Sequence, residues 1–313
     1  MSDWKCEKAA VIGTGMMGPG IAMTLALGGV HASILSRSQE SAAAGLTKAR
    51  SQLKLLADNQ LAAPDAATRA ETLLSASADF DASIAAADLV VESAPENMEF
   101  KQDLFRRMDA IAKPDAVLAS NTSGLSITDI ASRCSRPGRV LTTHFWNPPH
   151  LMPLVEIVKG ARTDHALAIA VKDLLTRCGK VAVLVKRDTP GQLGNRLQIA
   201  LVREAVNIVQ EGIADPEDVD LVAKNGFGMR LPVYGIFEHQ DAVGLDMALG
   251  IVDYISSDLY NQPKAPDLMR NLVAEGHLGA KSGKGFYDWS KKDINQVKER
   301  RDSFVLDLLR RWR

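Results

Sequence analysis

The sequence predicts an α/β fold: a doubly wound, mostly parallel sheet over residues 1–187, then an all-helical domain over residues 188–313. Three observations point to it. Short β-branched runs alternate with longer alanine-rich stretches in the first part, the pattern of right-handed βαβ units. The strand-like runs are apolar throughout, as in a sheet covered on both faces. At Asp188-Thr189-Pro190-Gly191 the pattern turns helical, and the Pro-Gly pair is a turn signal suited to a domain boundary.

The elements follow in order. Residues 9–12 read as a buried strand, 16–27 as a helix, 32–35 as a second strand and 39–59 as a long helix. Further strands are expected at 87–92, 116–119, 140–144, 154–158 and 181–186. Beyond the boundary, 193–211 and 215–225 have helical spacing, the second opening with Asp215 as cap, Pro216 behind it and acids in the first turn. In the basic tail from Lys291, Val305, Leu308, Leu309 and Trp312 share one helical face. This suits a solvated helix docked along one edge better than a membrane-surface helix.

Composition narrows the function classes. A chain of 313 residues, 46% hydrophobic, can bury a sizeable core and suggests about two domains. A net charge of −1 gives no global field to recruit nucleic acid or anionic lipid. No apolar run approaches the ~20 residues of a membrane span. The opening MSDWKCEKAAVIG lacks a basic segment followed by an apolar one, so no secretory signal is expected. Cys6, Cys134 and Cys178 are widely spaced, which fits neither a disulfide framework nor a metal site; a reducing, cytoplasmic location is expected, with no metal.

Gly13-Thr14-Gly15-Met16-Met17-Gly18 directly follows the first strand and opens a helix. The spacing G-x-G-x-x-G in that context is a dinucleotide cradle. The first glycine permits the tight turn, the second admits a pyrophosphate to the backbone, and the third lets helix and strand pack closely. The helix N-terminus then offers free N–H groups to the phosphates. A structural glycine turn, or a flavin or methyl-donor site, are the alternatives. Where NAD sites usually carry an acid at the end of the second strand, this chain has Ser36-Arg37-Ser38. A serine and an arginine accept a 2′-phosphate by charge-assisted hydrogen bonds, so the cofactor is NAD(P) with a lean to NADP. Arg37 stacked on an adenine would serve either form.

One histidine and one glutamate stand twelve positions apart in "TTHFWNPPHLMPLVEIV". His144 ends an apolar strand, and Pro148-Pro149 can fold the next strand back so that Glu156 comes near it. Oxidising a secondary alcohol needs a base whose pKa lies near the operating pH, and histidine is the natural one. A carboxylate on its second ring nitrogen fixes the tautomer and raises the basicity. A satisfied structural histidine is the other reading.

Together these residues resemble the 3-hydroxyacyl-CoA dehydrogenases. Val91-Glu92 with Glu96-Asn97 matches that family's "VVE…EN", Asn121-Thr122-Ser123 its "NTS", and His144-Phe145-Trp146-Asn147-Pro148 its "HFFNP". Val155-Glu156, Gly191 with Asn195-Arg196, Gly235-Ile236-Phe237-Glu238 with Gly244-Leu245-Asp246, and Lys281-Ser282-Gly283 with Gly285-Phe286-Tyr287 continue the ordered set almost to the end. The resemblance implies His144 as general base, Glu156 as its orienter, and Ser123 and Asn195 as hydrogen-bond partners of the substrate oxygen. It places Gly13, Gly15, Met16, Met17, Gly18, Ser36, Arg37, Glu96, Lys101, Asn121 and Asn147 at the cofactor, with Pro148 beside Asn147 at the nicotinamide wall. Glu96, Asn97 and Lys101 read equally well as a capped, solvated helix start. The resemblance also implies a small-molecule substrate, first an L-3-hydroxyacyl-CoA, and a homodimer whose helical domain closes the active-site cleft.

Three departures qualify that implication. The acid after the second strand is missing. The family's second serine in "NTSS" is Gly124. In relatives, basic residues of the helical excursion after the second strand lie near the CoA phosphates; here Lys48, Arg50 and Lys54 remain but the tip reads Asp58-Asn59-Gln60, and CoA phosphates want Lys or Arg. "WNPPHLMP" also resembles family members that oxidise free alcohols: L-gulonate, L-carnitine, or a hydroxymethylpyridine carboxylate of vitamin B6 breakdown. His150 and Arg230 could then meet a free carboxylate, against plain readings as a surface histidine and a helix-end arginine. The fold also serves as a lens structural protein, which keeps a non-catalytic nucleotide-binding role as an alternative from another class.

Overall fold

The computed structural model describes residues 4–312; the ends of the two expected domains, 1–3 and 313, lie outside the described residues. The chain forms two compact units. One runs up to Arg196 and takes in the C-terminal segment from Arg300; the other is Leu197–Glu299.

The first unit is built on one eight-stranded sheet. Its strands are β1 (Lys8–Ile12), β2 (His31–Leu35), β3 (Leu74–Ser77), β4 (Leu89–Glu92), β5 (Val117–Ser120), β6 (Val140–Phe145), β7 (Leu154–Lys159) and β8 (Val181–Val185), in the spatial order β3-β2-β1-β4-β5-β6-β7-β8. Helices α1 (Gly18–Leu27), α2 (Gln39–Asp58), α3 (Pro64–Leu73), α4 (Phe80–Ala86), α5 (Met98–Ile111), α6 (Ile127–Ile130) and α7 (His165–Arg177) lie between strands. Every neighbouring pair is parallel except β6 and β7. The reason is in the connection. A parallel return needs a crossover of a dozen or more residues, and between β6 and β7 there is only a short turn carrying Pro148, Pro149 and Pro153. The chain therefore doubles back and sets Glu156 directly opposite His144.

Alternate residues of a strand serve opposite faces, and the core divides accordingly. Ala9 and Val11 join a cluster with α1, α2 and α7, whereas Ala10 joins one with Phe105, Met108 and Ile130. Helix α1 is buried along nearly its whole length, which explains its uniformly apolar sequence.

β3, LSAS, has no counterpart among the sequence expectations. It carries one large apolar residue, which is too little for a strand pattern, and owes its place to parallel pairing with β2 at the sheet edge. The expected tail helix exists as α14 below, but its buried residue is Leu306, with Val305 and Leu309 packed against the first core cluster, whereas Trp312 is 50% exposed. The face is rotated from the expected one because Val305, Leu306 and Leu309 join the first core cluster.

Helix α8 (Gly194–Gln210) leaves the first unit, and α9 (Pro216–Asn225), α10 (Phe227–Arg230), α11 (Ile236–Val243), α12 (Leu245–Ser256) and α13 (Asp267–Ala274) form the second before α14 (Ile294–Arg311) begins. Within the second unit Glu204 accepts the Tyr260 N–H at 2.8 Å, and the Tyr287 hydroxyl donates to Asp220 at 2.9 Å. Asp215 precedes α9 as expected, with Pro216 following, but its side chain makes no capping bond.

Candidate active site

The C-terminal ends of β1, β4, β5 and β6 stand side by side; His144 lies near the end of β6 with Glu156 opposite it on β7, Ser123 lies just beyond β5, and Asn195 lies in the first turn of α8. In an open α/β sheet the crevice forms where the strand order reverses, here between β1 and β4.

The glycine turn has the geometry that a dinucleotide requires. Gly13 has φ of +115°, and a Cβ there would come within 2.5 Å of the Ser93 carbonyl oxygen. At Gly18 a Cβ would come within 1.9 Å of the Gly13 oxygen, so the turn itself demands glycine. At Gly15 an added Cβ meets nothing within 4 Å; the backbone is open there, as a pyrophosphate needs. Met17 caps α1 without a side-chain hydrogen bond, leaving the first N–H groups of the helix for an anion. Met16 is exposed on the same turn. Lys48 Nζ donates to the Gly15 oxygen at 3.2 Å and braces it from α2. These residues fit the cofactor. Ser36 follows β2, with its N–H on the Ser77 oxygen, and Arg37 is exposed beside it.

A chain of contacts leads from this turn to the histidine. Ser93, against which Gly13 packs, lies 3.5 Å from the Asn121 amide nitrogen. Asn121 Oδ1 accepts the Phe145 N–H at 2.9 Å, next to His144. Asn121 thus ties the ends of β5 and β6 together.

His144 Nδ1 lies 2.9 Å from Glu156 Oε2, and both side chains are buried. Glu156 is surrounded by donors. Trp146 Nε1 donates to Oε2 at 3.1 Å; the Leu193 and Gly194 N–H groups donate to Oε1 at 2.9 Å each. Burial pushes this carboxyl up, but the hydrogen bonds from His144, Gly194, Trp146 and Leu193 outweigh burial and hold it down at about 2. It is an anion at any ordinary pH. Trp146 was not among the sequence candidates. Its signal was there: tryptophan stands where the family pattern has phenylalanine, and an indole adds the N–H that reaches Glu156. Gly194 makes room for it, since a Cβ there would lie 2.2 Å from the Trp146 ring.

The Asn121-Thr122-Ser123 segment is held from two sides. Glu96 accepts the Ser123 N–H at 2.6 Å and the Thr122 hydroxyl at 2.9 Å. Asn195 Nδ2 donates to the Ser123 oxygen at 2.7 Å, and Gln192 Nε2 donates to the Thr122 oxygen at 3.0 Å. Ser123 is itself exposed, and Gly124 faces open space. Gln192, buried with φ of +55°, was also missed; it sits inside the Gly191…Asn195 motif.

Lys101 is placed beneath this layer. It is 1% exposed, with Nζ 2.5 Å from Glu92 and 3.5 Å from Glu96. Glu92 in turn accepts the Ser120 hydroxyl at 2.6 Å. Asn97 caps α5 through the Phe100 N–H. Asn147 is exposed on the turn after β6. His150 is half-buried, with its Nδ1 covered. Arg230 meets His239 at 3.0 Å within the second unit. Among the described residues no helix is long and apolar enough to cross a membrane, and no His, Cys, Asp and Glu cluster suits a metal.

Comparison with known proteins gives the family. The 3-hydroxyacyl-CoA dehydrogenase NAD binding domain matches residues 8–189, and the C-terminal domain of the same family matches residues 191–289. A 5-formyl-3-hydroxy-2-methylpyridine 4-carboxylate 5-dehydrogenase of Mesorhizobium japonicum is 33% identical over 93% of this chain and 94% of its own. A probable 3-hydroxybutyryl-CoA dehydrogenase of Bacillus subtilis is 38% identical over 91% of this chain and 98% of its own. A solved structure of a 5-formyl-3-hydroxy-2-methylpyridine 4-carboxylic acid 5-dehydrogenase, described as an NAD+-dependent dismutase, superposes with a TM-score of 0.90 at 30% identity, covering 98% of both chains. The chain belongs to the 3-hydroxyacyl-CoA dehydrogenase family of oxidoreductases, which carry an NAD binding domain.

Proposed function

We propose that this enzyme transfers hydride between NAD(P) and the carbinol carbon of a hydroxyacyl compound, with His144 as the base and Glu156 as its orienter. The observation that carries the reading is the buried 2.9 Å pair of His144 Nδ1 and Glu156 Oε2. A nicotinamide bound at the glycine turn would supply the hydride acceptor or donor. The protein handles the proton. Glu156, ionised and held by three further donors, keeps a proton on His144 Nδ1 and leaves Nε2 to take one from the substrate hydroxyl. The resulting imidazolium lies against a fixed anion, which lowers the cost of its charge. In the reducing direction the same nitrogen returns the proton to the nascent alkoxide. The Ser123 hydroxyl and the Asn195 amide, joined through the Ser123 carbonyl, are the donors that position the substrate oxygen.

For the cofactor, Gly13, Gly15, Met16, Met17 and Gly18 receive the pyrophosphate, and Ser36 with Arg37 supports a lean to NADP. Glu96, Asn121 and Lys101 act on the cofactor side by holding the 121–123 segment and the end of β6. Family membership supports an L-3-hydroxyacyl-CoA as one substrate form. A second form, a free hydroxy or hydroxymethyl aromatic acid, is favoured by the whole-chain likeness to the pyridine carboxylate dehydrogenase and by Asp58-Asn59-Gln60 at the tip of α2. The three cysteines are unpaired thiols, in keeping with the reducing, cytoplasmic location we propose.

The test is His144→Ala. Turnover should fall about 10²–10⁴-fold, the usual contribution of a positioned base, while titration with NADH and NADPH shows cofactor still bound. Near-normal turnover would end the reading.

A further inference from the structure

Two ring nitrogens share one carboxylate oxygen. Glu156 Oε2 meets His144 Nδ1 at 2.9 Å and accepts the Trp146 Nε1–H at 3.1 Å, while Oε1 accepts the Leu193 and Gly194 N–H groups. The imidazole and indole centroids lie 5.8 Å apart, with the planes tilted by 48°. Trp146 is half-buried at the first position after β6. A phenylalanine, as in the family's "HFFNP", brings a ring to this position but no N–H. The longer indole fits because residue 194 is glycine, where a Cβ would lie 2.2 Å from the indole ring. Gly194 thus admits the indole and also gives its own N–H to Oε1.

A carboxylate beside a histidine favours the imidazolium, and it does so through the charge on the oxygen that faces the ring. A second N–H aimed at that oxygen draws on the same charge and sets the positive end of a dipole next to the histidine. It keeps Glu156 ionised and, at the same time, loosens its hold on the imidazolium. That matters for a base that takes a proton in one direction of a reaction and returns it in the other. Too firm a hold makes the imidazolium a poor acid.

Neighbouring charges do not replace this effect. β5 and β8 carry no charged residue, and Lys159 of β7 lies opposite Leu141, at the other end of β6 from His144. Lys186 and Arg187 follow β8 beyond Val185, which pairs with Val158 at that same far end. Lys101 lies on Glu92 and Glu96, and Glu96 accepts from Thr122 and Ser123. Asp188 accepts the Ser126 hydroxyl at 2.6 Å and the Thr128 N–H at 2.9 Å. Lys180 donates to the Pro149 and Met152 carbonyls, and Arg196 to the Pro190 carbonyl.

We propose that Trp146 is a positioning residue that tempers the Glu156 carboxylate, so that His144 releases its proton as readily as it takes one. The inference rests on His144 as the base of the proposed function. The test reads the ring itself and needs no turnover. The ring signals of His144 are followed by NMR against pH in the full-length protein, assigned by their absence in His144→Ala. Trp146→Phe keeps a ring and removes only the N–H on Glu156. The variant should hold the imidazole proton about threefold more tightly, so the midpoint moves up by about half a pH unit. The acid limb of the pH–rate profile, with acetoacetyl-CoA or whichever substrate turns over, should move up by the same amount. Should Trp146→Phe fail to fold, Gly194→Ala takes its place: it keeps the indole but forces it aside, and the midpoint should again rise. A midpoint that stays or falls would overturn the inference, and lost turnover with an unmoved midpoint would reduce Trp146 to packing. Turnover surviving His144→Ala would instead strike the proposed function.

Discussion

At the scale of the residue, the site is organised around an anion. Glu156 gathers four donors from two stretches of chain, and this fixes both its charge and the ring of His144. Its pKa stands at about 2 against an ordinary 4.5, so the native state holds this group's proton more weakly than the unfolded chain does. The stability it contributes is fully present above pH 4.5 and is lost as pH falls toward 2. Glu156→Gln should therefore lower both turnover and stability at pH 6, and the stability gap from the wild type should narrow at pH 3. Denaturant unfolding at both pH values checks this; a gap of constant size would mean the carboxylate is not the source. Arg37→Ala addresses the cofactor: it should weaken NADPH far more than NADH in a fluorescence titration, and equal weakening would reduce Arg37 to a stacking residue. His144 and Glu156 were legible in the sequence because a proline turn between two apolar strands brings their residues face to face. Trp146 and Gln192 were not, since an indole N–H or a buried amide becomes a ligand only once the backbone aims it.

Elements show the same division. The strands that sit in the middle of the sheet announce themselves as apolar runs, whereas β3, with its Leu-Ser-Ala-Ser sequence, exists because β2 offers an edge. Lys101 looks like a solvated helix residue in sequence, yet it is buried on Glu92, because α5 packs its first turns over the end of β4. The glycine turn was readable position by position, and its three glycines should respond differently to a methyl group. Gly18→Ala forces a carbon onto the Gly13 carbonyl and should lower the melting temperature. Gly15→Ala meets no protein atom, so stability should hold while NADH affinity drops about tenfold or more, because the methyl occupies the phosphate approach. Thermal unfolding and cofactor titration of both variants decide it. A Gly15→Ala protein that binds NADH normally would remove the cradle from that position.

For the molecule as a whole, both domains of the family are present, and each unit raises its own question. The second unit exposes large apolar side chains: Leu245, Leu249 and Val252 along one face of α12, Met247 and Tyr254 on another, and Phe237. Exposed apolar side chains in this number support an interaction surface. We propose that the protein is a homodimer through this unit, and light scattering should return twice the chain mass of 33.8 kDa. A monomer at micromolar concentration would contradict it. The tail was legible as a helix but not as part of the sheet unit, since nothing in a local pattern says which surface a helix will cover.

In the function we propose, His144, oriented by Glu156, moves the proton while hydride passes to or from a nicotinamide. Its most direct test follows the absorbance of reduced nicotinamide with 5-formyl-3-hydroxy-2-methylpyridine 4-carboxylate and with acetoacetyl-CoA, for the wild type and for His144→Ala. The wild type should consume the reduced cofactor with at least one of them, and the variant should lose this activity while still binding cofactor. A variant that works as well as the wild type, or a cofactor-bound wild type that turns over neither compound, would contradict it.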